Sequence, residues 1–140
     1  MTHDCSFLAD LLDDDQFSFG DSHREGHAGD WGTPDDEQVR PDAVVWPEST
    51  ADVSAVLAAA DDRGVPVTPY AAGTSLEGNA TPARGGISLD VTRMDAVLDV
   101  RPADFQVDVE PGVMGTSVDE AVAPAGLFFP PLPSSGDIST

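Results

Sequence analysis

Apolar and polar positions change period several times along this chain, and each change marks an element. Phe7, Leu8, Leu11 and Leu12 fall on one helical face, with Asp4 or Ser6 as cap and Asp13-Asp14-Asp15 as stop, which predicts a short opening helix. From Ala43 the pattern sharpens. Ala43-Val44-Val45-Trp46 is a short apolar run stopped by Pro47 and predicts a strand. Ser49 or Thr50 then caps a helix whose Val53, Val56, Leu57 and Ala60 recur at helical spacing, and Gly64 with Pro66 behind it supplies the stop. Val65 to Pro69 is extended again, so strand, helix and strand predict a right-handed parallel crossover. Ile87, Leu89 and Val91 alternate with Ser88 and Asp90. Ala96 to Val100 follows, and then Phe105, Val107 and Val109 alternate with Gln106 and Asp108, making three strands in all. Their links, Thr92 to Asp95 and Arg101 to Asp104, have turn composition and predict antiparallel neighbours. Ser117 with Glu120 reads as a capping box for a last helix lined by Val118, Ala121, Val122 and Ala125 and closed by Gly126. Leu127 to Phe129 is a strand-like run turned by Pro130-Pro131. The order predicts an α+β domain: a strand-helix-strand crossover, a small mixed sheet and a second helix.

Composition narrows the function classes. The 140 residues hold 6 basic against 26 acidic side chains, a net charge of −20; every basic residue is Arg, and 20 of the acids are Asp. Clustered Lys and Arg are required to neutralise phosphates along a strand, so a nucleic-acid partner is excluded. Dense carboxylates suit a molar-salt cytoplasm, where ions screen their repulsion, and a halophilic origin is the expectation. An acidic disordered tail is the alternative; 40% hydrophobic residues at regular periods argue against it. Cys5 is the one cysteine, so no internal disulfide forms. No apolar run approaches the roughly 18 residues of a membrane span, and a cytoplasmic chain is expected.

Three stretches carry candidate chemistry. His23 and His27, with Asp21, Glu25 and Asp30 nearby, have a spacing a metal could use on a helix. Gly20, Gly26, Gly29 and Gly32 argue against a helix there, and no metal site is assigned. The second stretch runs from Pro66 to Asn79, where an apolar run opens into Ala71-Ala72-Gly73-Thr74-Ser75. Small residues let successive backbone N–H groups approach an anion, and Gly tolerates positive φ. No Lys or Arg lies between Arg63 and Arg84, so amides and the Thr74 and Ser75 hydroxyls must supply the positive potential. Each bond to a charged oxygen is worth roughly 1.5–3 kcal/mol, enough for three or four to hold a diphosphate. An ordinary Gly-containing turn is the other reading. The spacing is neither Gly-x-Gly-x-x-Gly nor a Walker loop. Leu132 to Thr140 is a second small, polar, Gly-containing loop, which by composition is equally a surface linker.

Taken with Thr81 to Met94 and Gly126 to Thr140, the first loop resembles the vanillyl-alcohol-oxidase-type, or p-cresol-methylhydroxylase (PCMH)-type, FAD-binding family. Within it, the similarity is to the branch of D-lactate dehydrogenase and the FAD-linked subunit of glycolate oxidase. The resemblance implies FAD as cofactor. It places Pro69, Tyr70, Ala71, Ala72, Gly73, Thr74, Ser75, Leu76, Gly78 and Asn79 in the diphosphate loop, and Pro133, Ser134, Ser139 and Thr140 in a partner segment. With no His in the first loop, a histidyl-flavin bond is not expected there. The Glu77 carboxylate would repel a diphosphate if it pointed inward and is expected to face solvent or an amide. Residues 1–40 become a lead-in and 41–140 the amino-terminal part of the FAD domain. Family members run on through a substrate domain, so the chain is expected to be an amino-terminal fragment, completed by further sequence or by a second chain. The implied function is oxidation of a 2-hydroxy acid such as D-lactate or glycolate. Two alternatives are a truncated fragment that does not hold FAD alone, and another oxidase of the fold, similar to alkyl-dihydroxyacetone-phosphate synthase or 2-hydroxyglutarate dehydrogenase. The base, the substrate arginines and a metal-binding histidine site belong to the part beyond this chain, so no catalytic residue is assigned.

Overall fold

The computed structural model describes residues 2–131 and 139–140, and its framework is a sheet whose central strands run parallel. Strands β2 (Ala43–Val45) and β3 (Val67–Tyr70) do not touch each other. Strand β4 (Ile87–Asp90) lies between them and pairs parallel with both, with Val45 and Pro69 opposite Leu89 and Tyr70 opposite Asp90. A two-residue strand β1 (Phe17–Ser18) adds antiparallel to the outer edge of β2. All four residues of β4 are buried. The alternation Ile-Ser-Leu-Asp therefore does not mark a half-exposed strand: a central parallel strand is covered on both faces.

The crossover between β2 and β3 is helix α2 (Thr50–Arg63). It starts where the sequence predicts, because the Ser49 hydroxyl accepts from the Asp52 N–H at 3.2 Å, while the Asp52 carboxylate accepts from the Glu48 N–H at 3.0 Å. It stops at Gly64, whose φ of 64° closes the last turn with bonds to the Ala60 and Asp61 carbonyls. Val56 and Ala60 face the core and Val53 packs beside them, whereas Leu57 is 44% exposed. Its place on the apolar stripe is a correction; the stripe is narrower than the spacing implies.

The lead-in builds core rather than preceding it. Cys5, Phe7, Leu8 and Leu12 share one buried cluster with Ala43, Val45, Val56, Ala60, Val65, Ile87 and Leu89. The opening helix is a single 3-10 turn over Ser6–Asp10, with Leu11 left at the surface. Near His23 the expectation of no helix is overturned: α1 spans Asp21–Gly26. Gly20 and Gly26 sit at its ends, where they cost least, and the Arg24 Nε donates to the Pro41 carbonyl at 2.7 Å to anchor it.

Beyond β4 the chain leaves the sheet. A 3-10 turn at Val91–Arg93, held by the Asp90 carboxylate, redirects it, so β4 and β5 (Val97–Arg101) do not pair and the expected antiparallel neighbour is absent. Strands β5 and β6 (Gln106–Val109) do form an antiparallel ladder, in a sheet of their own. Asp99 and Asp108 oppose each other in that ladder, and the Arg101 guanidinium bridges both carboxylates at 2.7 Å. Helix α3 (Gly115–Val122) begins two residues before the predicted cap, with Met114 at the N-cap and no side-chain bond. Ser117 therefore lies inside the helix. Val118 and Val122 are buried, and Gly126, at φ 74°, closes the following turn as expected. Leu127 to Phe129 forms no strand.

Candidate functional site

The C-terminal ends of the three parallel strands place Trp46, Asp90 and Tyr70 side by side, and ligands of open α/β sheets bind at such an edge. The buried Asp90 carboxylate ties this edge together. Its Oδ2 accepts from His27 Nε2 and Trp46 Nε1, both at 2.9 Å, and its Oδ1 accepts from the Thr92 N–H at 2.9 Å and the Thr92 hydroxyl at 2.6 Å. Burial alone would raise this carboxyl. The bonds from His27 and Thr92 outweigh it and hold the group below the ordinary carboxylate range.

His27 comes from the end of α1 and covers the strand ends. Its ring lies 4.3 Å from the Tyr70 ring and edge-on to Trp46 at 5.8 Å. Its Nδ1 faces the His23 carbonyl at 2.7 Å and its Nε2 faces Asp90, so both nitrogens are engaged within the protein. Among the described residues no group of three or more His, Cys, Asp or Glu is disposed to hold a metal.

Tyr70 ends β3 and opens the small-residue loop. Its hydroxyl reaches toward the Gly26 carbonyl at 3.4 Å. Burial, followed by the nearby Asp90 and Asp30 charges, pushes the phenol above its ordinary value. Gly73 has φ 67°, and a Cβ there would stand 2.3 Å from the Tyr70 hydroxyl. Gly is thus the residue this turn accepts. The Thr74 hydroxyl meets the Ser139 hydroxyl at 3.2 Å, and the Ser139 carbonyl accepts from the Gly115 N–H at 3.1 Å. The last residues of the chain therefore lie against both the loop and the start of α3. Pro133 and Ser134 lie outside the described residues. Asn79 is exposed and donates to the Ser75 hydroxyl at 3.3 Å, while Leu76 and Glu77 project to solvent.

Behind the loop runs Asp30 to Thr33, a segment in which the sequence points to Asp30 and Gly32 but gives neither a part in the loop. The Trp31 and Gly32 N–H groups donate to the carbonyls of Gly73 and Ser75, both at 3.0 Å. Asp30 is 7% exposed, and its Oδ1 accepts from the Gly32 N–H at 3.1 Å and the Thr33 hydroxyl at 2.8 Å. Burial works to raise Asp30, but bonds from Thr33, Ser75 and the Ala80 and Gly32 amides more than offset it and hold it low. The Thr33 hydroxyl also meets that of Thr81 at 2.8 Å. The available signal was Asp30, Gly32 and Thr33, three small or capping residues with Asx-turn spacing; nothing local said what they touch.

The loop carries no cationic side chain, yet neither the Thr74 nor the Leu76 N–H has an acceptor among the described residues. Open backbone donors, the Thr74 hydroxyl and no bulky side chain at Ala71 to Gly73 fit an anionic group such as a diphosphate.

Residues 41–140 match the family described as FAD binding domain. Glycolate oxidase subunit GlcD of Bacillus subtilis is 38% identical over 103 residues, covering 74% of this chain and 22% of that protein. The mitochondrial cytochrome-type D-lactate dehydrogenase of Arabidopsis thaliana is 38% identical over 96 residues, covering 69% and 17%. Among solved structures, an alkyldihydroxyacetonephosphate synthase superposes with a TM-score of 0.86 at 22% identity, over 99% of this chain and 28% of its own. The 4-ethylphenol oxidase of Gulosibacter chungangensis does so at 0.76 and 26% identity, over 86% and 24%. The chain spans about a fifth of the length of these two curated relatives.

Proposed function

This chain belongs to the FAD binding domain family, and on that premise we propose that it is the FAD-holding portion of a flavin-dependent oxidoreductase acting on a 2-hydroxy acid such as D-lactate or glycolate. FAD is the cofactor of the fold. The observation that carries the reading is the cationless loop at the C-terminal end of β3, whose donors stand open beside Tyr70. In it, Ala71 to Ser75 with Leu76, Gly78 and Asn79 would hold the flavin diphosphate, with Ser139 and Thr140 as the partner segment; Pro133 and Ser134, which the resemblance adds to that segment, lie outside the described residues. Pro69 and Tyr70 set the loop's origin on the sheet. When bound, the flavin supplies the acceptor for the hydride leaving the substrate carbon. The residues of this chain would bind and orient the cofactor.

The test is calorimetric titration of FAD into the 140-residue chain in molar KCl, alongside Gly73→Asp. Binding that the variant loses while keeping its circular dichroism is the expected outcome. Equal binding by both would move the flavin away from the loop. The substrate class is checked by supplying the polypeptide that completes the relatives' length and following anaerobic bleaching of the flavin with D-lactate and with glycolate. Bleaching by neither would overturn the 2-hydroxy acid assignment.

A further inference from the structure

We infer that Asp30, Trp31, Gly32 and Thr33, outside the stretch that matches the family, form a positioning clamp that aims the backbone donors of the loop; the inference rests on the flavin reading above. The argument is one of peptide geometry. All peptide bonds among the described residues are trans, and in a planar trans peptide the C=O of one residue points opposite to the N–H of the next. The Gly73 carbonyl is drawn to the Trp31 N–H, so the Thr74 N–H is turned the other way. Likewise the Ser75 carbonyl is drawn to the Gly32 N–H, which turns the Leu76 N–H outward. Two alternate amides of the loop thus face away from the lead-in, and neither has an acceptor among the described residues, where the N–H groups of Ala71, Ala72, Gly73 and Ser75 have none either. The loop has no cation to correct a misdirected amide, so its affinity for an anion depends on this orientation.

The clamp is itself held. Asp30 fixes the Gly32 N–H and the Thr33 hydroxyl, and Thr33 reaches across to Thr81 at the far end of the loop. Gly32 has no alternative, because a Cβ there would lie 2.2 Å from the Leu76 carbonyl. These four residues are positioning residues; none need touch the ligand.

The experiment uses inorganic pyrophosphate and FAD as probes on the whole 140-residue chain, with amide NMR and calorimetry. In the wild type, the Trp31 and Gly32 amides should exchange slowly, and the Thr74 and Leu76 resonances should move on adding pyrophosphate. Gly32→Ala and the milder Thr33→Val should weaken both probes by about tenfold or more, the worth of one bond to a charged oxygen, while the thermal transition remains cooperative. Freely exchanging Trp31 and Gly32 amides would overturn the clamp without any variant. Folded variants that bind as tightly as the wild type would overturn it and leave the flavin site standing. A wild type that binds neither probe would overturn both.

Discussion

Replacing Asp90 with asparagine keeps the size of the side chain but turns one acceptor into a donor facing either His27 and Trp46 or Thr92. A buried donor with no acceptor costs about 1–3 kcal/mol. Asp90→Asn should lower the unfolding free energy by that amount in urea titrations, and a loss below about 0.5 kcal/mol would mean that the network contributes little. Cys5 illustrates the reverse case, a chemically quiet group. Burial, then Asp42 and Asp4, push its thiol up to about 11. It should therefore react with a thiol reagent near about pH 8 only at the rate of unfolding. Rapid labelling of the native chain would contradict its place in the core.

Helix α2 was legible because its signals are local: Ser49 at the cap, Gly64 at the stop, small and branched residues between. Ser49→Ala should cost about 1 kcal/mol, read as a shift of the urea midpoint at unchanged slope. What the sequence hid was long-range. Turn composition at Thr92 to Asp95 does not say whether the chain folds back on β4 or departs, and the Asp90 carboxylate decides it by holding a 3-10 turn. The Ser117-Glu120 spacing matched a cap, but Gly115 and Thr116 continue the helix upstream, so the pattern fell inside it. In the loop, residue types pointed to an anion, whereas the direction of its amides is set by Asp30 to Thr33, far away in sequence. No local pattern encodes such a contact.

At the scale of the molecule, charge sets the conditions under which the rest operates. Asp30, Asp42, Asp52 and Asp90 all titrate below the ordinary value of about 3.9. Their contribution to stability is complete above that value and is lost as pH falls through the lower folded values. The many exposed acids act in the opposite sense, since their mutual repulsion eases as they begin to protonate, below about pH 5. In low salt the urea midpoint should therefore peak at about pH 4–5, and in molar KCl the rise from neutral pH toward that peak should flatten. A midpoint that falls steadily from neutral pH in dilute buffer would show that repulsion is unimportant. The same charge predicts that FAD, itself an anion, binds more tightly as KCl rises, the reverse of the usual salt effect on anion binding.

The strand order carries a further consequence, for the moment of synthesis. Of the three parallel strands, β2 and β3 leave the ribosome first but have no bond to each other, and β4, which joins them, is made third. Until Asp90 has emerged, neither parallel ladder exists and α2 has no complete sheet to cover. The loop from Ala71 to Gly86 is the connection that β4 must pull into place. Closing the core and shaping the loop are therefore one event, so a nascent chain should acquire protease resistance in β2, α2 and β3 in a single step once β4 has emerged, before Ser139 arrives to meet the loop.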